Sequence, residues 1–396
     1  MWTVDWEGGF VVGGDGNRRL TPSFRLKEFR KPDGSVRVHR ELVSGLQLLR
    51  DRFGKSLSVK RTEADGLAAV VAGEPAAELL AAAEALRERH VFDQVARDAG
   101  GVSVRIPGPD RLPPIDLEQA LETAFSVTSA FETTGDKFQQ ITGNFDGAGL
   151  SFGPAQVNFG TGTLVPLFRK FKAADEAALR ACFTDPDDYD EWLRVMDLPI
   201  SKPSPNQIEF SNSITTGRGG HDVVEPWKGY FQAVGRVERF RAIMVESILT
   251  DYGGKMLRAL KKLQALKPLL PIDHLRCICS LYDLVVQQGS LDKAWDAITE
   301  RVGAENPQDQ FALIRIAVEE RGRKASSEWR DDACSRRLGI LKGVPETVGD
   351  RQRANINFYM LRDVRIRNAS DLTSGDVTDE FARVSEALGT GNTLLA

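Results

Sequence analysis

Two carboxylates stand where acid and base chemistry is feasible. Glu132 closes the apolar run Ala130-Phe131-Glu132, and fourteen residues later Asp146 sits in Asn144-Phe145-Asp146-Gly147-Ala148-Gly149-Leu150-Ser151-Phe152-Gly153. Hydrolysis of a glycosidic bond needs such a pair: a protonated acid for the leaving oxygen and an ionised carboxylate on the other side of the sugar. Burial against aromatic neighbours raises a carboxyl pKa, so Glu132 on its apolar helix suits the acid, with Phe131, Phe145 and Phe152 as neighbours that can supply the environment. Asp146, on a polar Gly-rich turn, suits the base. Spacing alone leaves the alternative open, because a helix-end glutamate and an Asp-Gly turn are common structural features.

The elements that must position these groups are legible in outline. The pattern over Leu117 to Phe131 predicts a helix ending at the glutamate, and Asp-Gly-x-Gly predicts a tight turn from which Leu150 and Phe152 leave as a half-buried strand. Gln156 and Asn158 follow at alternate positions, where their amides can bond sugar hydroxyl and N-acetyl groups or satisfy local backbone. His221, within Thr216-Gly217-Arg218-Gly219-Gly220-His221-Asp222, is expected on a flexible loop that either covers the groove or is merely solvated. The spacing Gly147-x-Gly149-x-x-x-Gly153 resembles a phosphate-cradling loop, but no Gly-Lys-Ser/Thr ending follows and no helix opens on the first glycines, so a nucleotide site is not indicated.

Composition narrows the classes. A chain of 396 residues, 41% hydrophobic, has room for two domains. A net charge of −4 gives no overall positive field, which argues against nucleic acid as a partner. Cys182, Cys277, Cys279 and Cys334 form no C-x-x-C pair, and His39, His90, His221 and His274 are scattered, so neither a metal site nor another cofactor is expected. No apolar run reaches the roughly 18 residues of a membrane span, so membrane insertion is not expected. Met1 to Glu7 lacks the features of a signal peptide. The chain is therefore expected to be made in the cytoplasm and, if it acts on a wall, to reach the periplasm or wall by delivery or lysis.

The Gly-rich start predicts a hairpin; helices are predicted over Glu41 to Arg52 and Pro75 to Arg89, and strands over Leu57 to Lys60, Leu67 to Val71 and Val102 to Ile106. The cluster Pro107-Gly108-Pro109, extended by Pro113-Pro114, is the expected domain boundary. Beyond it, long amphipathic helices are expected to about Leu341, including Trp227 to Gly253, Gly254 to Lys267, Leu275 to Gln288 and Gln310 to Arg321. The expected division is 1–110, 115–366 and a polar tail, 367–396. Asp185-Pro186-Asp187-Asp188 with Asp190 reads as a helix start or as a cluster for a cationic glycan.

Phe131-Glu132, a spacer and Asp146-Gly147-Ala148-Gly149-Leu150-Ser151-Phe152-Gly153 resemble the catalytic segment of the chitosanase and lysozyme-like superfamily. In the family-46 chitosanases a helix-end Glu precedes a D-G-x-G-x-T-x-G hairpin. The resemblance implies the acid at Glu132, the base at Asp146 and the water-orienting hydroxyl at Ser151, with a shorter spacer and Ser where that family has Thr. Leu281 to Ser290 and Trp329 to Gly343 resemble later helices of the same fold. Residues Phe24 to Pro107 resemble a degenerate zinc D-Ala-D-Ala carboxypeptidase domain, in which Ser58 and Ser103 replace the ligand histidines, Arg105 replaces an acid and Asp65 alone remains. One carboxylate cannot hold catalytic zinc, so that domain is expected to bind wall or to dock. The fold class implied is α+β: a small α+β N-terminal domain, then a mainly α lysozyme-like domain with one β-hairpin.

The function implied is hydrolysis of β-1,4 bonds in peptidoglycan, as a muramidase does and with inversion. Chitosan or a related aminosugar polymer is the alternative substrate, and a non-catalytic wall-binding component of a phage-like or secretion machine is the alternative class. The partners implied are the glycan itself and a delivery machine or immunity protein.

Overall fold

The computed structural model describes residues 4–7, 9–108, 112–132, 136–200, 205–369, 382–384 and 386. The fold is α+β, and the chain forms two compact units, one drawn mainly from 1–127 and 255–377, the other mainly from 128–254.

The first unit opens on antiparallel strands β1 (Val4–Glu7), β2 (Phe10–Gly14) and β3 (Val38–His39). Helix α1 (Arg40–Phe53) follows at once; the His39 ring nitrogen caps it by accepting the Glu41 N–H, and Gly54 ends it in the left-handed conformation that glycine adopts without strain. Strands β4 (Ser58–Thr62), β5 (Ala68–Ala72), β6 (Gln94–Asp98) and β7 (Gly101–Arg105) form an antiparallel sheet in the order β4-β5-β7-β6, with helix α2 (Ala76–Glu88) packed on its β6-β7 half. β5 lies inside the sheet and is almost wholly apolar, Ala68-Ala69-Val70-Val71-Ala72, as burial on both faces requires. β6 gave no sequence signal: it is an edge strand whose Gln94, Ala96 and Arg97 are exposed.

Helix α3 (Leu117–Glu132) leads into the second unit, which holds the short sheet β8 (Ile141–Thr142), β9 (Ser151–Phe152) and β10 (Val157–Asn158) in the order β10-β9-β8. Helices α4 (Leu164–Ala181), α5 (Pro186–Asp197) and α6 (Pro205–Ser213), hairpin β11 (Thr215–Thr216) and β12 (Asp222–Val223), and helices α7 (Trp227–Val234) and α8 (Glu238–Ile248) complete it. Phe152 lies at the centre, its ring 5.6 Å from Phe231 and 5.8 Å from Phe240, while Phe168 meets Trp192 edge-on at 4.8 Å. Tilted and edge-on aromatic contacts of this kind stabilise beyond the area they bury. The single helix expected from Trp227 to Gly253 is two helices and a π-helical turn, Leu249–Gly253. The break falls at Gly235, where any side chain would collide with the Phe138 carbonyl.

The chain then completes the first unit with α9 (Gly254–Leu266), α10 (Leu275–Gln288), α11 (Trp295–Glu305), α12 (Gln310–Arg323), α13 (Ser327–Lys342) and the hairpin β13 (Glu346–Val348) and β14 (Arg351–Arg353). No helix among the described residues is long and apolar enough to cross a membrane. Asp283 on α10 is fully buried and pairs with Arg336 of α13 at 2.6 Å and Arg337 at 3.5 Å, both also buried.

The division of the units falls near Val127 and Gly254, so the Pro- and Gly-rich stretch at 107–114 lies within the range of the first unit instead of separating two. The physical reason is that α1 is packed with the distant segment 359–363. Glu41 pairs with Arg362 at 2.8 Å and accepts the Asp363 N–H at 2.9 Å, and Ser44 donates to the Tyr359 carbonyl at 2.5 Å. Most of the expected tail, 367–396, lies outside the described residues.

Candidate active site

The segment between β8 and β9 carries Asp146. It is an eight-residue loop, 143–150, fixed from both sides. Within it, the Asn144 side-chain oxygen accepts the Gly149 N–H at 2.7 Å and the Asp146 carboxylate accepts the Ala148 N–H at 3.0 Å, an Asx turn. From outside, the Ser211 hydroxyl accepts the Leu150 N–H at 2.9 Å, the Thr215 hydroxyl accepts the Asn144 N–H at 3.3 Å, and the Asn144 amide donates to Asn212 at 2.6 Å. Sequence reasoning missed Ser211, Asn212 and Thr215. Their one signal was a run of small polar residues at the end of α6, without a pattern that ties it to a loop some seventy residues earlier.

The glycines of the motif answer to this geometry. Gly149 has φ +80, and a side chain there would press on the Phe159 ring and the Ser211 hydroxyl; at Gly153, φ +76, one would overlap the Met244 sulfur. The spacing is a demand of backbone and packing, not of phosphate.

Asp146 is exposed, and its carboxylate has no protein partner besides the Ala148 N–H among the described residues. A second oxygen is therefore open to water or ligand, which a base that activates water requires. Ser151 opens β9, the middle strand, and is 4% exposed. Leu150 and Phe152 share one face and are fully buried, as expected, but Ser151 on the opposite face is buried too, so β9 is covered on both faces and is not the half-buried strand expected. Glu132 is the last residue of α3 in the same unit; its side chain lies outside the described residues.

Other expected site residues fall differently. Phe152 belongs to the aromatic core, whereas Phe145 is 47% exposed, so the two do not share one pocket. His221 is exposed but its loop is tethered: the short helix Arg218–Gly220 joins β11 to β12, the His221 carbonyl accepts the Gly143 N–H at 2.9 Å, and the imidazole lies flat on Phe145. Asn158 accepts the Thr161 N–H at 2.8 Å and donates to the Gln156 carbonyl at 3.1 Å, and the Gln156 amide donates to the Gly153 carbonyl at 3.1 Å. Both amides are engaged in shaping the turn. Asp185 caps α5 and Asp188 accepts the Tyr230 hydroxyl at 2.9 Å, so that acidic cluster is a helix start.

Asp65, the one position of the expected zinc motif that keeps a ligand type, lies in the turn between β4 and β5 and is held by Arg105 at 2.7 Å. No group of three or more His, Cys, Asp or Glu positioned for a metal occurs among the described residues.

No protein-family profile and no curated protein matches the chain, and the carboxypeptidase resemblance of Phe24 to Pro107 gains no support. Two solved structures of a chitosanase from Bacillus subtilis MY002 are similar to it. One is a mutant complexed with 6 GlcN, at 14% identity, and the other is the native enzyme, at 15%; each match covers 64% of this chain and 100% of the chitosanase, with a TM-score of 0.42.

Proposed function

We propose that the protein is a glycoside hydrolase of an aminosugar glycan, with peptidoglycan as the substrate. Asp146 acts as the base and Glu132 as the acid, and Ser151 helps to orient the attacking water. The observation that carries this reading is the Asp146 carboxylate: exposed, bonded to a single backbone N–H, and held on a loop braced from Ser211, Asn212 and Thr215. A structural aspartate on a turn needs no such bracing, whereas a base must be held in place while remaining open to water. The helix that ends on Glu132 supplies a second carboxylate in the same unit, the complement that glycosidic cleavage requires. The site is reached in the wall or periplasm, after delivery by a secretion machine or release on lysis.

Digestion of purified peptidoglycan and of chitosan by wild type, Glu132→Gln and Asp146→Asn, read by mass spectrometry, tests the reading. Each variant is expected to lose roughly 10²–10⁴-fold in turnover while retaining glycan affinity. Intact glycans after wild-type treatment would sink it and leave a wall-binding protein. Release from chitosan alone would move the substrate and keep the chemistry.

A further inference from the structure

The first unit contains a cavity of about 190 Å³ that the proposed chemistry does not use. Its walls are apolar, from Val11 and Leu20 of the N-terminal segment, Val43 of α1, and Phe358. The hydroxyls that reach it are already bonded: Thr21 to the Gln47 side chain at 2.7 Å, and Ser44 to the Arg40 and Tyr359 carbonyls.

The exception is Arg40. Its Nη2 donates to the carbonyls of Gly343 and Leu361, both at 3.0 Å, but Nη1 and Nε have no acceptor among the described residues, and no carboxylate lies within ion-pair distance. The nearby carboxylates are committed elsewhere: Glu41 to Arg362 at 2.8 Å, and Asp363 to Arg276 at 2.6 Å and to His274. Three guanidiniums, Arg40, Arg276 and Arg362, thus stand against two carboxylates, and Arg40, the one without an ion-pair partner among the described residues, lines the cavity. Arg40 is half-buried, and desolvation lowers its pKa against the opposing effect of Glu41, so an anion beside it would offset part of that cost.

We propose that this cavity is a binding site for a small monocarboxylate with a compact apolar body, its carboxylate on the Arg40 guanidinium and its hydrocarbon among Val11, Leu20, Val43 and Phe358. Size limits the body: a cavity of roughly 150 Å³ with such a lining takes benzene, so this one admits about six to eight carbons. Charge sets the head group, since a neutral molecule of the same shape would leave the guanidinium uncompensated. The site is independent of the glycan reading.

Titration calorimetry and thermal melts of the full chain at neutral pH, with hexanoate, benzoate, hexan-1-ol and hexylamine as probes and acetate as the small-anion control, test it. Hexanoate and benzoate should bind one to one and raise Tm. Hexanol should bind at least about tenfold more weakly, by the worth of a charge-assisted hydrogen bond, and hexylamine and acetate should not bind. Arg40→Gln should reduce hexanoate to the level of hexanol, and Val43→Phe, which fills the cavity, should abolish both. No saturable binding of either acid by about 10 mM, the weak end of specific affinity, overturns the proposal. So does equal affinity for hexanoate and hexanol, or wild-type binding by Val43→Phe. Should Arg40→Gln fail to fold, the comparison of acid with alcohol on the wild type decides.

Discussion

The imidazole of His221 lies on the ring of Phe145 with centroids 4.4 Å apart and planes 15° from parallel, although Phe145 is 47% exposed. An exposed phenyl ring one residue before the proposed base gains little from burial. Its effect is to lock two loops together beside Asp146, with the Gly143 N–H on the His221 carbonyl as the second tie.

Phe145→Ala and His221→Ala are therefore expected to leave stability within about 0.5–1 kcal/mol of wild type, as at other exposed positions. Both should lower glycan turnover roughly ten- to a hundredfold through misplacement of the carboxylate. Because both act through one contact, the double variant should be no worse than the poorer single one. Melts alongside fragment release check this; additive losses would mean that the rings act separately.

The glycines of the same loop can be ranked. Gly147 has φ +83 but nothing within 4 Å of an added side chain, so Gly147→Ala should cost only the left-handed backbone term, about 1–2 kcal/mol. Gly153→Ala adds the overlap with Met244 to that term, and should cost about 1–3 kcal/mol more. Urea denaturation of the two variants side by side gives the order, and equal costs would show that Met244 yields freely.

The helices were readable because their apolar period persists over many residues: α10 is Leu275–Gln288, the range its pattern predicts, ended by Gly289 at φ +80. The Asp-Gly-x-Gly turn was readable for the same local reason. What the sequence could not show is anything that depends on distant chain coming together. Ser211 bracing Leu150, the pairing of Glu41 with Arg362, and the Gly235 break against Phe138 each join residues about sixty to over three hundred apart, or turn on one clash. Gln156 and Asn158 were legible only as an alternative: their alternation allowed either sugar contacts or bonds to local backbone, and in the fold both amides bond backbone carbonyls at the turn.

Asp283→Ala should destabilise the first unit by about 3–5 kcal/mol, because removal of one partner leaves buried guanidiniums uncompensated. Burial already pushes Arg337 down to about 10 even with Asp283 beside it. Asp283→Asn, which keeps an acceptor for Arg336 but loses the charge, should fall between. Guanidinium chloride midpoints measure both, and a cost below about 1 kcal/mol for Ala would mean that water enters and replaces the carboxylate.

Glu122 on α3 supplies a pH test. It is 5% exposed; burial raises its pKa to about 7 and the neighbouring Glu118 adds to the shift, against the opposing effect of Arg89 at 3.3 Å. A carboxyl raised on folding acts with the opposite sign to an ordinary paired carboxylate. Between 4.5, its ordinary value, and about 7, the native state keeps a proton that the unfolded chain has released. This contribution is therefore fully present below the lower limit, falls as pH rises through the window, and is flat above it. The loss is on the order of 3 kcal/mol. Glu122→Gln cannot ionise, so its stability relative to wild type should rise by that amount across the window, with other titrating groups cancelling in the comparison. Urea unfolding of both proteins at intervals from pH 4 to 8 reads the difference directly. Parallel curves would show that Arg89 holds Glu122 ionised in the fold.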